Sequence, residues 1–365
     1  MAEKTTFNPE WVSVPGETIE DLLEERGWSK KDFATRMGLT PKHVGDLTMG
    51  RVQITADVAE RLSRTLGSTP TFWLTRDAQY QAALQAREAL KAAEADVDWL
   101  KELPTPWMKK QGWIEKVKGK AELVQECLRF FGVHSVEAWR LSYQKPLVAF
   151  RASDKFEKKV GAVAAWLRQG ELEATAMPCQ SYDAKAFRQV LDDLRQLTCE
   201  TDPGEFVPKL QERCAACGVA VVFVPAPKGC PASGATKWLC RDKAMMVLSL
   251  RHKSNDHLWF SFFHEAGHIL DHSKKMLFIE GMKGLDEALE EEANRFASDL
   301  LIPPAAAKEL HLLSKKRYLS KEDVAEFAEA IGVAPGIVVG RMQKEEWLSY
   351  RYMNDLKARY DWAEE

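Results

Sequence analysis

Two histidines and a glutamate lie within five residues, His264-Glu265-Ala-Gly-His268, in a segment rich in apolar side chains. Residues four apart share one face of a helix, so His264 and His268 can bind one metal ion between them. Glu265 can then accept a proton from a water on that metal. Two imidazoles, a third protein ligand and a water make a catalytic zinc site, in which the water has a pKa of about 7. The alternative is a chance match on a buried helix.

Candidates for the third ligand come from a second predicted helix, Glu287 to Pro303, which ends at consecutive prolines. Glu290 and Asn294 are four residues apart on this helix and share a face. A carboxylate can therefore reach the metal while an amide holds a ligating histidine through its other ring nitrogen. Spacing alone leaves Glu290, Glu291 and Glu292 open as the ligand. An acidic first turn would also stabilise a helix without any metal.

Together the two segments resemble the ImmA/IrrE family of zinc metallo-endopeptidases. The motifs that carry the resemblance are His-Glu-Ala-Gly-His-Ile-Leu at 264–270 and Glu-x-x-Ala-Asn-x-Phe-Ala-x-x-Leu-Leu-x-Pro at 290–303. Apolar strand-like runs before the first motif extend the resemblance to about residues 205–345. The family fold places the two motifs opposite each other across a metal ion.

This resemblance implies a role for each residue of the two motifs. It implies that His264, His268 and Glu290 bind Zn²⁺ and that Glu265 is the general base of peptide hydrolysis. Asn294 would then support a ligating histidine. Members of the family cut transcriptional repressors of phage or stress genes, so the resemblance also implies a protein substrate of that kind.

His272 extends the histidines to a run at four-residue intervals, but we do not expect it to bind the metal. Each step of four residues turns about 40° further round the helix and carries the ring away from the site. Proteases with a third histidine ligand turn the chain at a glycine after the second histidine, and residues 269–271 contain none. A histidine near a helix C-terminus is also favourable for the helix dipole alone.

The substrate is expected to bind along a strand beside this site. Residues 230–239 predict an edge strand that follows the buried strand Val219–Val224. An extended peptide can bind such an edge as an additional strand. The predicted substrate contacts are the small residues of this edge, Ser233, Gly234, Ala235 and Thr236. The stretch 273–286 is either a mobile flap over the metal or a solvated connector.

The first 90 residues predict a different kind of domain, made of short helices. A helix at Lys30–Met37, a turn containing Gly38 and a helix at Pro41–Met49 form a helix-turn-helix pattern, whose second helix enters the DNA major groove. Together with the helices before and after it, this stretch resembles the HigA-like antitoxins of the XRE family of DNA-binding proteins.

The residues predicted to contact DNA are Lys42, His43 and Arg51, but the charge of the domain argues for weak binding. Residues 17–70 contain eight Lys or Arg and nine Asp or Glu. Neutralised phosphates supply most of the affinity for nucleic acid, and Asp46 on the second helix repels them. We therefore expect weak DNA binding unless the domain forms a homodimer. The alternative is a helical module kept for protein contact.

Helical periodicity continues through the middle of the chain. Residues 76–100 are rich in alanine, glutamine and charge, which predicts a long solvated helix between domains. The stretch from 107 to 197 shows only helical spacing. Trp139 and Trp166 fall at that spacing and are more typical of a core than of a ligand groove.

Near the C-terminus the chain repeats part of its N-terminal domain. The pattern Phe-Ala-x-x-Met-Gly-Leu-x-Pro-x-x-Val at 33–44 recurs as Phe-Ala-x-x-Ile-Gly-Val-x-Pro-x-x-Val at 327–338. This predicts a second helix-turn-helix-like unit. It contains few positive charges, so we expect it to pack or to dock a substrate rather than to contact DNA.

Composition sets the remaining bounds. The 365 residues carry a formal charge of −3 and are 45% apolar, which is ordinary for folded protein. No segment approaches the 18 or so apolar residues of a membrane span. Seven cysteines without a spacing pattern are typical of a reducing cytoplasm, and the first residues lack the profile of a secretory signal. We expect a cytoplasmic protein with no membrane partner.

The sequence thus predicts a mainly α protein with a small β-sheet, built from four domains. These are a helix-turn-helix domain (1–90), a helical middle domain (91–200), an α+β gluzincin-like zinc peptidase domain (201–312) and a C-terminal helical unit (313–365). The predicted function is a zinc-dependent endopeptidase that cleaves a repressor or antitoxin-like regulator in a phage, stress or toxin–antitoxin response. The alternative is a DNA-binding transcriptional regulator or antitoxin whose protease-like domain is a sensor with little turnover.

Overall fold

The computed structural model describes residues 13–149, 160–274, 276–280 and 287–363. The chain forms two compact units. One comprises the residues up to Val97 together with Gly119–Gln125, and the other comprises Asp98–Lys118 and Glu126–Glu365. Helices dominate both units, and a small sheet lies in the second, so the predicted fold class is confirmed. The limits of the four predicted domains stay predictions.

The first unit contains the predicted helix-turn-helix. Its helices are α1 (Pro15–Glu25), α2 (Lys30–Met37), α3 (Pro41–Thr48), α4 (Ala56–Leu66) and α5 (Pro70–Ala95). The Ser29 and Thr40 side chains accept backbone N–H groups and start α2 and α3. Gly38, with φ of 65°, ends α2 in the left-handed conformation and makes the tight turn to α3. Fully buried Phe33 and Val44 join the two helices in one core.

Longer and shorter helices follow along the rest of the chain. They are α6 (Thr105–Lys110), α7 (Lys120–Phe131), α8 (Val136–Trp139), α9 (Lys145–Ala149), α10 (Val160–Ala176), α11 (Ala184–Gln196), α12 (Pro203–Ala215), α13 (Asn255–Asp271), α14 (Glu287–Leu301), α15 (Pro304–Ser314), α16 (Lys321–Ile331) and α17 (Pro335–Lys344). Trp139 and Trp166 are fully buried, as expected for core residues.

One four-stranded sheet lies in the second unit. Its strands are β1 (Val219–Phe223), β2 (Gly234–Cys240), β3 (Lys243–Leu248) and β4 (Phe278–Ile279), in the order β1-β3-β2-β4. β3 runs parallel to β1 and antiparallel to β2. Side chains alternate along β3, so Met246 joins the core with α13 while Val247 packs on Gly170 of α10. The sheet is therefore buried between α10 and α13.

The structure corrects the predicted edge strand at residues 233–236. β4 pairs antiparallel with Ala235 and Thr236, and the N–H of Glu280 donates to the Gly234 carbonyl at 2.9 Å. The Ser233 carbonyl accepts from Ser249 on the opposite side. β2 thus has neighbours on both sides where a substrate strand was expected. The physical reason is that the chain returns after α13 and supplies its own short strand.

β4 could not be recognised from the sequence. It has only two residues, too few to show the alternation of a strand. It also lies within the stretch 273–286, which was interpreted as a flap or a connector. Residues 281–286 of that stretch lie outside the described residues, so neither interpretation of them is tested.

The C-terminal unit repeats the local structure of the helix-turn-helix. Ser320 and Asp323 form a capping box at α16, as Ser29 and Asp32 do at α2. Gly332 has φ of 69°, and a proline again begins the next helix. α17, the counterpart of α3, has most of its residues buried and packs against α13. The packing role expected for this unit therefore agrees with the structure.

Candidate metal centre and helix-turn-helix domain

The centre is built on two facing helices, α13 and α14. His264 and His268 on α13 are 1% and 2% exposed, and their Nε2 atoms lie 3.0 Å apart. Glu290 on α14 brings Oε2 to 3.5 Å from His264 Nε2 and Oε1 to 3.4 Å from His268 Nε2. The ligand atoms of the three side chains all lie within 4.8 Å of one another. Such a cluster can hold one metal ion.

The structure distinguishes the three glutamates between which the sequence spacing could not choose a third metal ligand. Glu290 lies against both histidines, whereas Glu291 is exposed. Glu292 lies 3.3 Å from His272 Nε2 instead. The register of α14 therefore directs only one of the three toward the cluster.

Small residues bring the two helices close enough for this arrangement. A Cβ on Gly267 would lie 3.4 Å from the Ala293 Cα and 3.2 Å from the Phe296 ring. Ala293 and Ala297 of α14 are buried at the same interface. Because Gly267 and Ala293 let the two backbones approach closely at this point, the Glu290 side chain reaches the histidine rings.

The donor set fits a metal ion. The Asn294 Oδ1, which only accepts hydrogen bonds, lies 3.1 Å from His264 Nδ1. When His264 is neutral, as a metal ligand must be, this contact favours the ring hydrogen on Nδ1 and leaves a lone pair on Nε2 that points at the other two ligands. Lone pairs and a carboxylate repel each other at these distances, and a divalent cation among them would relieve the repulsion. Two nitrogens and one carboxylate are ligands that Zn²⁺ accepts.

Charge within the metal-free cluster is divided unequally. Burial would raise the pKa of Glu290, but hydrogen bonds from His264 and His268 outweigh it and hold the value at about 2. Burial lowers the pKa of His264, yet the carboxylates of Glu290 and Glu265 more than offset this and raise it to about 9. Burial and the neighbouring positive charge of His264 lower the pKa of His268. In the metal-free cluster the His264 ring thus carries a second proton and a positive charge, at the place where a metal cation would bind.

Glu265 lies beside the cluster and is fully buried. The Thr236 hydroxyl donates to its Oε2, and within the described residues its Oε1 has no hydrogen-bond partner. Burial is the main reason why the pKa of Glu265 is raised to about 8, although His264 opposes it. A Cβ on Gly234 would lie 2.8 Å from the Glu265 Cγ. Gly234 and Thr236, predicted as substrate contacts, therefore contact Glu265 directly.

Two further residues near the centre were not found from the sequence. Glu280 follows β4, and its buried carboxyl group, whose pKa is raised by burial, is close enough to act on His264 and Glu265. Nothing in the sequence pairs this loop residue with β2. The sequence indicates that His272 is a helix-end residue rather than a metal ligand, whereas in the structure its Nδ1 lies 2.8 Å from His268 Nδ1, the ring nitrogen of His268 that faces away from the cluster. Its spacing of four from His268 was the available signal for that contact.

The residues predicted to contact DNA lie on or just after α3. Lys42 and Arg51 are exposed, and His43 is half-buried. Arg51 lies 3.6 Å from Asp46, so part of its charge is neutralised within the domain. DNA contact by these three residues, and its weakness, stay predictions.

Comparisons with known proteins match both parts of the chain. The helix-turn-helix family matches residues 19–74, and the IrrE N-terminal-like domain matches residues 230–343. The chain is 34% identical over 84 residues to an uncharacterized HTH-type transcriptional regulator, YddM, of Escherichia coli strain K12. That match covers 81% of the relative and 23% of this chain.

Two further comparisons are with an antitoxin and an antidote protein. The chain is 43% identical over 72 residues to antitoxin HigA-1 of Vibrio cholerae, covering 65% of the relative and 20% of this chain. It is also similar to the structure of an addiction module antidote protein of a HigA family from Coxiella burnetii. That likeness has 29% identity and a TM-score of 0.21, and it covers 23% of this chain and 92% of that one.

The chain therefore belongs to the helix-turn-helix family and joins a domain of that family to an ImmA/IrrE-type domain. The matches support a DNA-binding regulator. None of the helices in the described part of the chain combines the length and apolar composition that a membrane crossing requires.

Proposed function

We propose that this protein is a zinc-dependent endopeptidase joined to a DNA-binding helix-turn-helix domain. The proposal rests on Glu265, a buried carboxyl group beside the cluster of His264, His268 and Glu290. Among the described residues its Oε1 has no partner, although structural buried polar atoms are normally paired. An unpartnered oxygen next to a metal-ligating cluster is suited to exchanging protons. The IrrE N-terminal-like match over residues 230–343 supports the same interpretation.

Each residue of the centre has one task in this proposal. His264, His268 and Glu290 hold the zinc ion, and Asn294 keeps the His264 ring oriented. When bound, zinc supplies Lewis acidity that lowers the pKa of a water ligand to about 7 and polarises a peptide carbonyl. Glu265 takes the proton of the attacking water on Oε1 and later delivers it to the leaving amine nitrogen.

Thr236 positions Glu265 for that transfer. Its hydroxyl donates to Oε2, which fixes the plane of the carboxylate and leaves Oε1 as the oxygen that exchanges the proton. A Cβ on Gly234 would lie only 2.8 Å from Glu265 Cγ, so any side chain there would push the base away. Ser233 and Ala235 keep their proposed place beside a bound substrate only if β4 leaves the edge of β2.

We propose a transcriptional repressor or antitoxin-like regulator as the substrate. The support is the regulatory character of the relatives, one a transcriptional regulator and one an antitoxin. In this proposal residues 1–90 bind DNA or a partner, weakly as a monomer and better as a homodimer. Residues 91–200 link the domains, 201–312 form the peptidase, and 313–365 form a helical unit that packs on it.

The second candidate is a DNA-binding regulator whose protease-like domain senses a partner with little turnover. One observation favours it, since β4 occupies the strand edge that an extended substrate would use. The two functions differ in what Glu265 does. A sensor can lose this carboxylate without consequence, whereas a peptidase cannot.

Metal content and partner cleavage together test the two candidates. The protein, the Glu265→Gln variant and the exposed control Glu291→Gln are prepared without chelators and incubated with regulator proteins encoded beside its gene. A peptidase should give about one zinc per chain in all three. The wild type and the control should cleave a partner, and Glu265→Gln should not, because it cannot accept the proton.

Other outcomes decide against the peptidase. Cleavage by Glu265→Gln at the wild-type rate would show that this residue is not the base. A wild-type protein without metal would remove the peptidase and leave the sensor. Hydrolysis of casein is not a useful substitute, because a peptidase for one regulator need not cut a generic protein.

A further inference from the structure

His272 lies at the C-terminal end of α13, one turn beyond His268, and is not part of the metal-ligating cluster. Its side chain is only 3% exposed, although it terminates a helix. Burial of an imidazole at such a position requires partners for both ring nitrogens. Dipole stabilisation of the helix end explains a surface histidine but does not explain these contacts.

Both ring nitrogens of His272 have partners. Its Nδ1 lies 2.8 Å from His268 Nδ1, and its Nε2 lies 3.3 Å from Glu292 Oε2 on α14. The Phe278 ring stacks on the His268 ring with a centroid distance of 4.0 Å and approaches His272 at 5.3 Å. The Phe278 ring therefore fixes the plane of the His268 ring, and the His272 ring holds its Nδ1 edge.

Only one placement of ring hydrogens lets His268 bind a metal. Its Nε2 must offer a lone pair, so its hydrogen is on Nδ1 and is donated to His272 Nδ1. His272 then carries its own hydrogen on Nε2 and donates it to the Glu292 carboxylate. Every donor in this series meets an acceptor. In the other tautomer of His268, a neutral His272 would direct a lone pair of its Nε2 at the Glu292 carboxylate, which is unfavourable.

We propose that His272 and Glu292 are positioning residues for His268, which they hold in the Nδ1–H tautomer with its Nε2 directed at Glu290. The proposal rests on the proposed function only in taking the cluster as a metal site. His264 has a single acceptor for the same purpose, the Asn294 amide. The two ligating histidines are thus oriented by different chemistry, an amide for one and an imidazole–carboxylate pair for the other.

Glu292 and His272 differ in how strongly they should act. The Glu292 side chain is 61% exposed, so water can replace it only in part as an ordered acceptor, whereas the His272 side chain is 3% exposed and its Nδ1 is less open to such replacement. Loss of an outer hydrogen-bond partner typically weakens metal binding by about 10–100-fold. We expect that range for loss of His272 and a smaller effect for loss of Glu292.

Zinc affinity of the full chain, measured by competition with a chromophoric chelator, tests this proposal without any substrate. His272→Phe keeps the ring volume but removes the acceptor, and should weaken binding by about 10–100-fold. His272→Gln restores an acceptor oxygen and should recover part of the loss. His311→Phe is the matched control, since His311 on α15 packs at a tilt against Trp347, with ring centroids 4.7 Å apart, and is not part of the metal-ligating cluster. It should bind zinc as the wild type does.

A second measurement separates orientation from general damage. Cobalt(II) loaded into the wild type and His272→Gln should give the same visible absorption, whereas His272→Phe should give a shifted one. If His272→Phe fails to fold, the exposed pair Glu292→Ala and Glu292→Gln decides the matter. The alanine variant should bind zinc more weakly and the glutamine variant, which keeps an acceptor, should not.

The proposal is overturned if His272→Phe folds and binds zinc as tightly as the wild type, or if the two Glu292 variants do not differ. A failure of the proposed peptidase function would be recognised separately, because the zinc affinities of the variants relative to the wild type do not depend on whether any protein is cleaved. A wild type that binds no zinc would overturn both proposals. Weakened zinc binding without partner cleavage would support the positioning role and count against the peptidase alone.

Discussion

Glu290 is the residue on which the charge balance of the cluster depends. Among the residues that the structure describes, it is the carboxylate that forms the metal-ligating cluster with His264 and His268, and its pKa is held at about 2 by their hydrogen bonds. It therefore stays ionised at neutral and mildly acidic pH. A Zn²⁺ ion bound there would keep a net positive charge after this single neutralisation, as water activation requires.

Replacement of this carboxylate should remove most of the metal affinity. Loss of a hydrogen-bond partner of a metal ligand typically weakens metal binding by about 10–100-fold. Because Glu290→Gln loses a direct ligand, we expect it to weaken zinc binding by more than that. Chelator competition measures the effect. Glu291→Gln changes the same charge one residue away on an exposed position and should bind zinc normally. Equal affinity of the two variants would show that Glu290 is not a ligand.

At this scale the sequence was most informative where function depends on local spacing. His264 and His268 are one helical turn apart, so any helix brings them together, and the cluster follows from the i,i+4 rule. The choice of Glu290 needed the register of α14 against α13, which the residues alone left open. Glu280 and the His272–Glu292 contact depend on how the chain returns after α13, and no spacing rule describes that return.

At the scale of elements, the same helical pair is used twice, and the face of the second helix that is exposed in α3 is buried in α17. Thr40 caps α3, and Lys42 at its start faces solvent. α17 presents Gly336 and Gly340 to α13, where a Cβ would lie 2.5 Å from Asn255 Oδ1 and 2.8 Å from Asp256 Oδ2. The repeated pattern at 33–44 and 327–338 predicted the shared geometry, because helix caps and turns are set by local sequence. Whether α3 or α17 is buried depends on the elements that pack against each helix, and the repeated pattern does not contain those elements.

Glycine-to-alanine substitutions should therefore have opposite effects in the two copies. Gly45 in α3 has open space around its Cβ position, so Gly45→Ala should stabilise its unit by about 0.5–1 kcal/mol. Gly340→Ala should destabilise its unit by about 1–3 kcal/mol, because Asp256 is fixed by Ser254 and Lys357. Urea denaturation measures both changes. Stabilisation by both variants would mean that α17 does not pack on α13 as closely as the structure shows.

The Arg51–Asp46 pair gives a second prediction at this scale. Asp46→Asn removes a negative charge from α3 and releases Arg51, so affinity for duplex DNA of random sequence should rise. The slope of log affinity against log salt should steepen by about 0.9 for each additional phosphate that the protein neutralises. Fluorescence anisotropy at several salt concentrations measures both quantities. Glu88→Gln, the same charge change on exposed α5, is the control and should leave the slope unchanged.

A lower or unchanged DNA affinity of Asp46→Asn would contradict the assignment of this helix to the DNA-facing surface. In that case the helix-turn-helix would be a protein-contact module. Lys42→Ala offers an independent check, since removal of an exposed cation from α3 should weaken binding to every sequence alike.

At the scale of the whole molecule, the chain consists of two compact units with their own apolar cores. Domains of this kind commonly unfold as separate cooperative steps. We therefore expect two transitions in urea, and only the unit that contains the metal cluster should respond to zinc. Zinc at a free concentration 100 times its dissociation constant should stabilise the folded unit by about 2.7 kcal/mol.

The Glu290 and Gly45 variants assign the two transitions. Zinc should raise one midpoint in the wild type and neither midpoint in Glu290→Gln. Gly45→Ala should raise the other midpoint and leave the zinc-sensitive one in place. A single transition that zinc and Gly45→Ala both displace would show that the units unfold together.

The strand pairing of the sheet also bears on the colloidal behaviour of the protein. Exposed strand edges are templates for pairing with other chains and so for aggregation. Here β2 is covered by β4, and the β1 side is partly capped, since the Gln211 and Trp166 side chains donate to the Val221 and Val224 carbonyls. Within the described residues, the outer side of β4 offers an incoming chain a length of only two residues. The short return of the chain after α13 therefore protects the sheet from growing into a larger one.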